Sequence, residues 1–120
     1  MNSKDTDLSD RKFQKDLNAG ISALVLLSVL SRAVEPMYGY QIAKLIKEEA
    51  CTIKQGTLYP VLRTLESSGL LESEVEPSIS GPPRRYYRIT EAGRDTLERW
   101  RKIWNQTKAL VDTVAEGGKQ

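Results

Sequence analysis

The chain has 120 residues, 28% of them charged, with a formal net charge of +2. That is room for one globular domain with one appended element, and too little net charge to announce an anionic partner by itself. It contains no histidine and one cysteine, which excludes imidazole acid–base catalysis, an intrachain disulfide and a multi-cysteine zinc site. A single thiol without a secretory signal reads as cytoplasmic. The most apolar stretch, Ile21 to Leu30, spans about half of the roughly 20 residues a membrane helix needs. No membrane, metal or cofactor is expected.

Residues 1–16 are polar and of mixed sign, with Asp5, Asp7, Asp10 and Asp16 offsetting Lys4, Arg11, Lys12 and Lys15; they read as a frayed leader or a solvated helical turn. From Leu17 to about Ala33 a helix is predicted that is apolar on nearly all sides, through Leu17, Ile21, Leu24, Val25, Leu26, Leu27, Val29 and Leu30. Such a helix must be covered on more than one face, which points to a second subunit meeting Ile21 and Leu24. Glu35-Pro36 ends it. A second helix is expected from Gly39 to Ala50, followed by Cys51, which reads as a buried inert thiol. A third runs from Gln55 to about Ser68, with Leu58, Val61, Leu62 and Leu65 spaced as one buried stripe and Gly69 as its stop.

The period then changes. Leu70–Glu76 and Arg84–Thr90 read as two strands around a tip of Pro77, Ser78, Ile79, Ser80, Gly81, Pro82 and Pro83, a β-hairpin. Thr90 caps a last helix that reaches about Ala115 before Gly117-Gly118. The fold class is mainly α with a small β-hairpin: a winged helix-turn-helix over residues 17–90, a C-terminal dimerisation helix over 91–116 and a tail at 117–120.

Phasing puts Gly56, Pro60, Arg63 and Ser67 on the face of the third helix opposite its buried stripe, flanked by Thr57, Tyr59 and Thr64. Small residues at a helix start let backbone N–H groups approach phosphates. Lys54 and Gln55 precede the helix within reach of phosphate or base edges, and Arg63 has the fork geometry for guanine. The return strand of the hairpin interleaves cations with rings, Arg84-Arg85-Tyr86-Tyr87-Arg88, as suits a wing lying along double-stranded DNA. Glu72, Glu74 and Glu76 on the other strand can neutralise part of that charge, so the arginines on the tip side, Arg84 and Arg85, are expected to matter most.

On the last helix Leu97, Trp100, Trp104, Thr107, Val111 and Val114 alternate spacings of three and four, and Ile103 and Leu110 widen the stripe. A helix of about 26 residues is about 39 Å long, more than the diameter of a small domain, so part of it projects and needs a partner. A homodimer is the expected outcome. Trp100 and Trp104, four apart on one face, either fill that interface or seat a small aromatic effector.

These pieces resemble the PadR family of transcriptional regulators: Tyr38-Gly39-Tyr40 opening helix two, Gly56-Thr57-Leu58-Tyr59-Pro60 in helix three, Leu65-Glu66-Ser67-Ser68-Gly69-Leu70 closing it, and Arg84 to Gly93 running from the wing into the last helix. The resemblance covers roughly Gly20 to Trp104 and is to the compact branch with a single C-terminal helix. It implies a dimer whose first and last helices cross between subunits, a palindromic operator, repression, and release by a small molecule. It also implies DNA contacts from Tyr40, Gly56, Thr57, Tyr59 and the wing arginines. Lys54-Gln55 depart from a common Ser-Pro pair, and Gly81-Pro82-Pro83 replace a more basic tip. The competing reading is a winged-helix interaction module without specific DNA binding. An enzyme is disfavoured for want of histidine, paired cysteines or a phosphate loop, and an RNA reader for want of a stacking platform.

Overall fold

The computed structural model describes residues 9–49 and 53–117. Cys51, the end of the second helix at Ala50, the first eight residues of the leader and Gly118 onward lie outside the described residues. The order of elements is α1 (Asp10–Arg32), β1 (Met37–Tyr38), α2 (Gly39–Glu48), α3 (Gln55–Ser67), β2 (Leu71–Ser78), β3 (Gly81–Ile89) and α4 (Glu91–Ala115).

Helix α1 starts at Asp10 rather than Leu17. Ser9 caps it, its side chain accepting the Lys12 N–H. The polar first turns are held by side-chain pairs four apart, Lys12 with Asp16 at 2.7 Å and Gln14 with Asn18 at 2.9 Å, the spacing at which helix neighbours meet. Part of the expected leader is therefore a solvated helix. By length and composition α1 could cross a membrane, but Leu26 and Leu27 are 0% exposed and Leu30 is buried with them in the domain core.

That core joins α1 to Ile42 and Ile46 of α2, Leu58, Leu62 and Leu65 of α3, Leu71 and Ile89 of the sheet, and Leu97 of α4. The stripe read on the third helix is thus its buried face, with Val61 half-buried beside it. Gly69 ends α3 as expected: its φ is +79°, a left-handed conformation that L side chains adopt only with strain. There the Leu70 N–H donates to the Leu65 carbonyl and the Gly69 N–H to that of Glu66, both at 2.9 Å, the paired bonds of a Schellman stop.

The sheet has three strands in the order β1-β3-β2, not two. The added strand β1 lies between the first two helices and pairs antiparallel with β3, Met37 opposite Tyr87 and Tyr38 opposite Tyr86. The hairpin is also longer than expected. Ser78 pairs with Gly81, so the tip is Ile79-Ser80, while Pro77, Pro82 and Pro83 lie within the strands beside an irregularity between Glu76 and Ser78. Prolines are tolerated there because the tip of a wing is an open edge.

Thr90 caps α4, its hydroxyl accepting the Gly93 N–H at 3.0 Å. Leu97 is buried and Trp100 half-buried against the helix's own domain, whereas every residue from Arg101 to Gly117 is exposed. The exposed stretch of the helix is thus residues 101–115, 15 of its 25 residues.

Candidate nucleic-acid interface

The helix-turn-helix and the wing meet along an open notch of about 680 Å³, lined by Tyr38, Gly39 and Tyr40 of β1 and α2, Tyr59, Arg63, Glu66 and Ser67 of α3, and Arg84, Arg85 and Tyr87 of β3. Five of the nine residues expected at a DNA surface, Tyr40, Tyr59, Arg63, Arg84 and Arg85, line this one concavity. The other four, Lys54, Gln55, Gly56 and Thr57, form the exposed start of α3. Lys54 occupies the N-cap without a side-chain bond to the helix, and a β-carbon on Gly56 would meet nothing within 4 Å. No side chain caps that start among the described residues, the Thr57 N–H donating to the Lys54 carbonyl at 3.0 Å, and N–H groups at a helix start attract anions.

Tyr59 is half-buried. Its ring packs where a β-carbon of Gly39 would stand, and its hydroxyl accepts from Gln55 Nε2 at 2.7 Å. The same side chain therefore anchors α3 to α2 and steers a residue at the tip of the reading helix.

The wing arginines have different fates. Arg88 is paired with Glu72 on the neighbouring strand at 2.5 Å, and the Glu72 hydrogen bond and charge hold its guanidinium above the usual arginine range. Arg85 donates to Ser73 Oγ at 2.9 Å, and Ser73 in turn donates to the Glu66 carboxylate at 2.5 Å, which ties the wing to α3. Arg84 sits opposite Glu76 in register but its guanidinium lies 4.5 Å from the centroid of the Tyr38 ring. Among the described residues the ion pairs are Lys12–Asp16 and Arg88–Glu72, so Arg63, Arg84 and Arg85 keep their charge unneutralised by any such pair. Across the notch three arginines face one carboxylate, Glu66. Tyr87 is buried beneath them; burial pushes its phenol above the usual value and the Glu66 carboxylate adds to the shift, against Arg85 and Arg63. It stays neutral at physiological pH.

Reasoning from the sequence missed Tyr38, Glu66 and Ser73. The Tyr-Gly-Tyr run flagged the first, but Glu66 and Ser73 are joined to the arginine only by cross-strand and helix–sheet contacts that no local pattern announces.

A second concavity, of about 700 Å³, lies on the other side of the domain and is mostly apolar: Ile21, Leu24, Val25 and Val29 of α1, Met37, Leu45 and Ile46, and Trp104 of α4, with Arg32, Glu49 and Arg101 at its rim. Trp104 is in its wall, while Trp100 is half-buried against the domain core. Ile103, Leu110, Val111 and Val114 are exposed along the projecting helix, as are Phe13 and Leu17 on α1; Thr107 is exposed with them.

A three-helix unit whose third helix opens without a side-chain cap, beside a basic antiparallel wing, defines a winged helix-turn-helix DNA-binding protein. The chain belongs to the transcriptional regulator PadR-like family, whose model matches residues 26–99. It is similar to the transcriptional regulator Rv3488 of Mycobacterium tuberculosis, 36% identical over 88 residues that cover 72% of this chain and 75% of that protein. Among solved structures it is similar to a PadR family transcriptional regulator from Eggerthella lenta, with a TM-score of 0.79 and 34% identity over 90% of this chain and 93% of that one. A PadR family regulator from Clostridium difficile has a TM-score of 0.68 and 32% identity over 80% and 99%. Membership places the chain among transcriptional regulators and not among enzymes.

Proposed function

We propose that this regulator acts as a cytoplasmic homodimer that represses transcription from a palindromic operator. The observation that carries the reading is the notch in which Arg63 on the reading helix and Arg84 and Arg85 on the wing converge, none of them in an ion pair among the described residues. In this reading Arg63 and the start of α3, Lys54, Gln55, Gly56 and Thr57, enter the major groove, Tyr40 and Tyr59 flank the backbone, and Arg84 and Arg85 follow the phosphates.

Dimerisation is supported by complementary shapes on one chain. The stripe Ile103, Trp104, Thr107, Leu110, Val111 and Val114 projects without cover, and the apolar groove containing Ile21 and Leu24 is of a kind a helix can fill. Placing each α4 in the partner's groove is an isologous contact that closes after two copies. Leu97 and Trp100 then support the helix from inside their own domain. Trp104, at the junction of helix and groove, is the seat we assign to a small aromatic effector. A planar molecule wedged there would separate the last helices and move the two reading heads out of register. Shifting binding tenfold requires about 1.4 kcal/mol of preference for the released state.

Footprinting on the protein's own promoter is the direct test. An inverted repeat with half-site centres about one helical turn apart, or a multiple of it, is expected. Equal affinity for that site and a scrambled duplex would instead make the protein a winged-helix interaction module.

A further inference from the structure

Arg84 has an obvious ionic partner and does not use it. Glu76 is directly opposite on β2, on the same face of the sheet, where opposite charges ordinarily pair. The guanidinium instead lies over the ring of Tyr38. Three contacts hold that ring. The β1–β3 pairing sets Tyr38 beside Tyr86; the Tyr86 ring meets it edge-on, centroids 5.3 Å apart at 67°; and the Tyr38 N–H donates to Gln41 Oε1 at 3.1 Å, fixing the backbone at the start of α2.

Stacking and ion pairing differ in what they leave over. A guanidinium is planar with all five N–H bonds in its plane. Salt-bridged to Glu76, Arg84 would turn part of that donor edge to a carboxylate. Held over the Tyr38 ring, its central carbon 4.5 Å from the centroid, it gives no N–H to a carboxylate and keeps donors for another acceptor, and a long flexible side chain is confined before any partner arrives. We infer that Tyr38 is a positioning residue for DNA binding: its ring holds Arg84 clear of Glu76 with the N–H edge presented to a phosphate. This rests on the DNA-binding reading above.

The test is a double-mutant cycle on the full-length protein, with a labelled random-sequence duplex of about 30 base pairs, about three helical turns, at low salt. Tyr38→Leu should weaken binding roughly two- to fivefold per wing, the size of an exposed cation–π contact, and lower the salt dependence toward that of Arg84→Ala. Tyr38→Phe, which keeps the ring, should bind as the wild type does. In the Arg84→Ala background Tyr38→Leu should do nothing more. Equal losses in both backgrounds, no loss in Tyr38→Leu, or a loss in Tyr38→Phe matching that in Tyr38→Leu would each overturn the inference. Should Tyr38→Leu unfold, the wild type still decides. The Arg84 side-chain protons should be shifted upfield by the ring in its NMR spectrum, and ordinary shifts would overturn the stacking. A wild type that fails to bind the duplex would defeat the DNA-binding reading itself, whereas binding without coupling between positions 38 and 84 defeats only the role of Tyr38.

Discussion

The ring of Tyr59 occupies the space that a β-carbon on Gly39 would need. Gly39 opens α2 and Tyr59 sits in α3, so the closeness of the two helices of the turn depends on a missing methyl group. Gly39→Ala should drive the ring outward, break the bond from Gln55 and cost about 1–3 kcal/mol, as overpacking does. In a Tyr59→Ala background the same change should be neutral or stabilising, because alanine is the better helix residue. Thermal unfolding of the four proteins checks the reversal of sign.

Removal of individual wing arginines should separate neutralised from available charge. Arg84→Ala and Arg85→Ala should weaken binding to all duplexes alike and reduce the salt slope by about one for each phosphate left without its arginine. Arg88→Ala, whose partner Glu72 is already engaged, should change the slope least. Arg63→Ala should behave differently again, relaxing base preference at a cost of about 1–3 kcal/mol where it meets guanine. Fluorescence anisotropy across a salt series, on operator and scrambled duplex, distinguishes these three behaviours.

The projecting half of α4 should carry self-association. Ile103 and Val111 are both 57% exposed in the single chain, so Ile103→Asp and Val111→Asp leave its core intact while placing a carboxylate in an apolar interface, at a cost of several kcal/mol per buried charge. Sedimentation should show a folded monomer for the double variant and a dimer for the wild type. A dimer that survives both substitutions would move the interface elsewhere.

Trp104 should report on a bound aromatic molecule. In a Trp100→Phe protein, which leaves one indole, planar aromatic compounds should quench the fluorescence and lower operator affinity over the same concentration range. Quenching with no change in affinity would separate the groove from regulation.

Tyr87 predicts an alkaline limit to stability. Burial raises its phenol above the ordinary 10.0, so the folded state disfavours tyrosinate more than the unfolded chain does. The stabilisation is complete below about pH 10 and is lost as pH rises through the folded value. Tyr87→Phe should flatten this alkaline decline, measured by denaturant unfolding across that range; an unchanged decline would assign it to another group.

Where local chemistry is strong, the sequence was sufficient. The bounds of α4 follow from a threonine cap and a glycine stop, and the core stripe of α3 from its spacing. Strand β1 escaped because two residues carry no alternation to read, and Pro36 just before them speaks only of a helix ending. The prolines around the wing tip concealed the tip-side ends of the two strands, since proline argues against a ladder except at the open edge where these stand. Eight of the nine residues expected at a DNA surface were proposed from phasing and charge and Tyr40 from the resemblance, but the contacts around them, Tyr38 under Arg84 and Glu66 behind Ser73, are formed by residues distant in sequence.

Strand β1 is only two residues long, yet it borders two concavities. Successive side chains of a strand point to opposite faces, and here Met37 lines the apolar groove while Tyr38 lines the notch beside the reading helix. Both are stitched to β3, Met37 to Tyr87 and Tyr38 to Tyr86, the latter one step along the strand from Arg85 and two from Arg84. A single peptide unit therefore joins the wall of the apolar groove to the ring that lies under Arg84. The apolar concavity and the charged one thus share one stretch of backbone about one residue long.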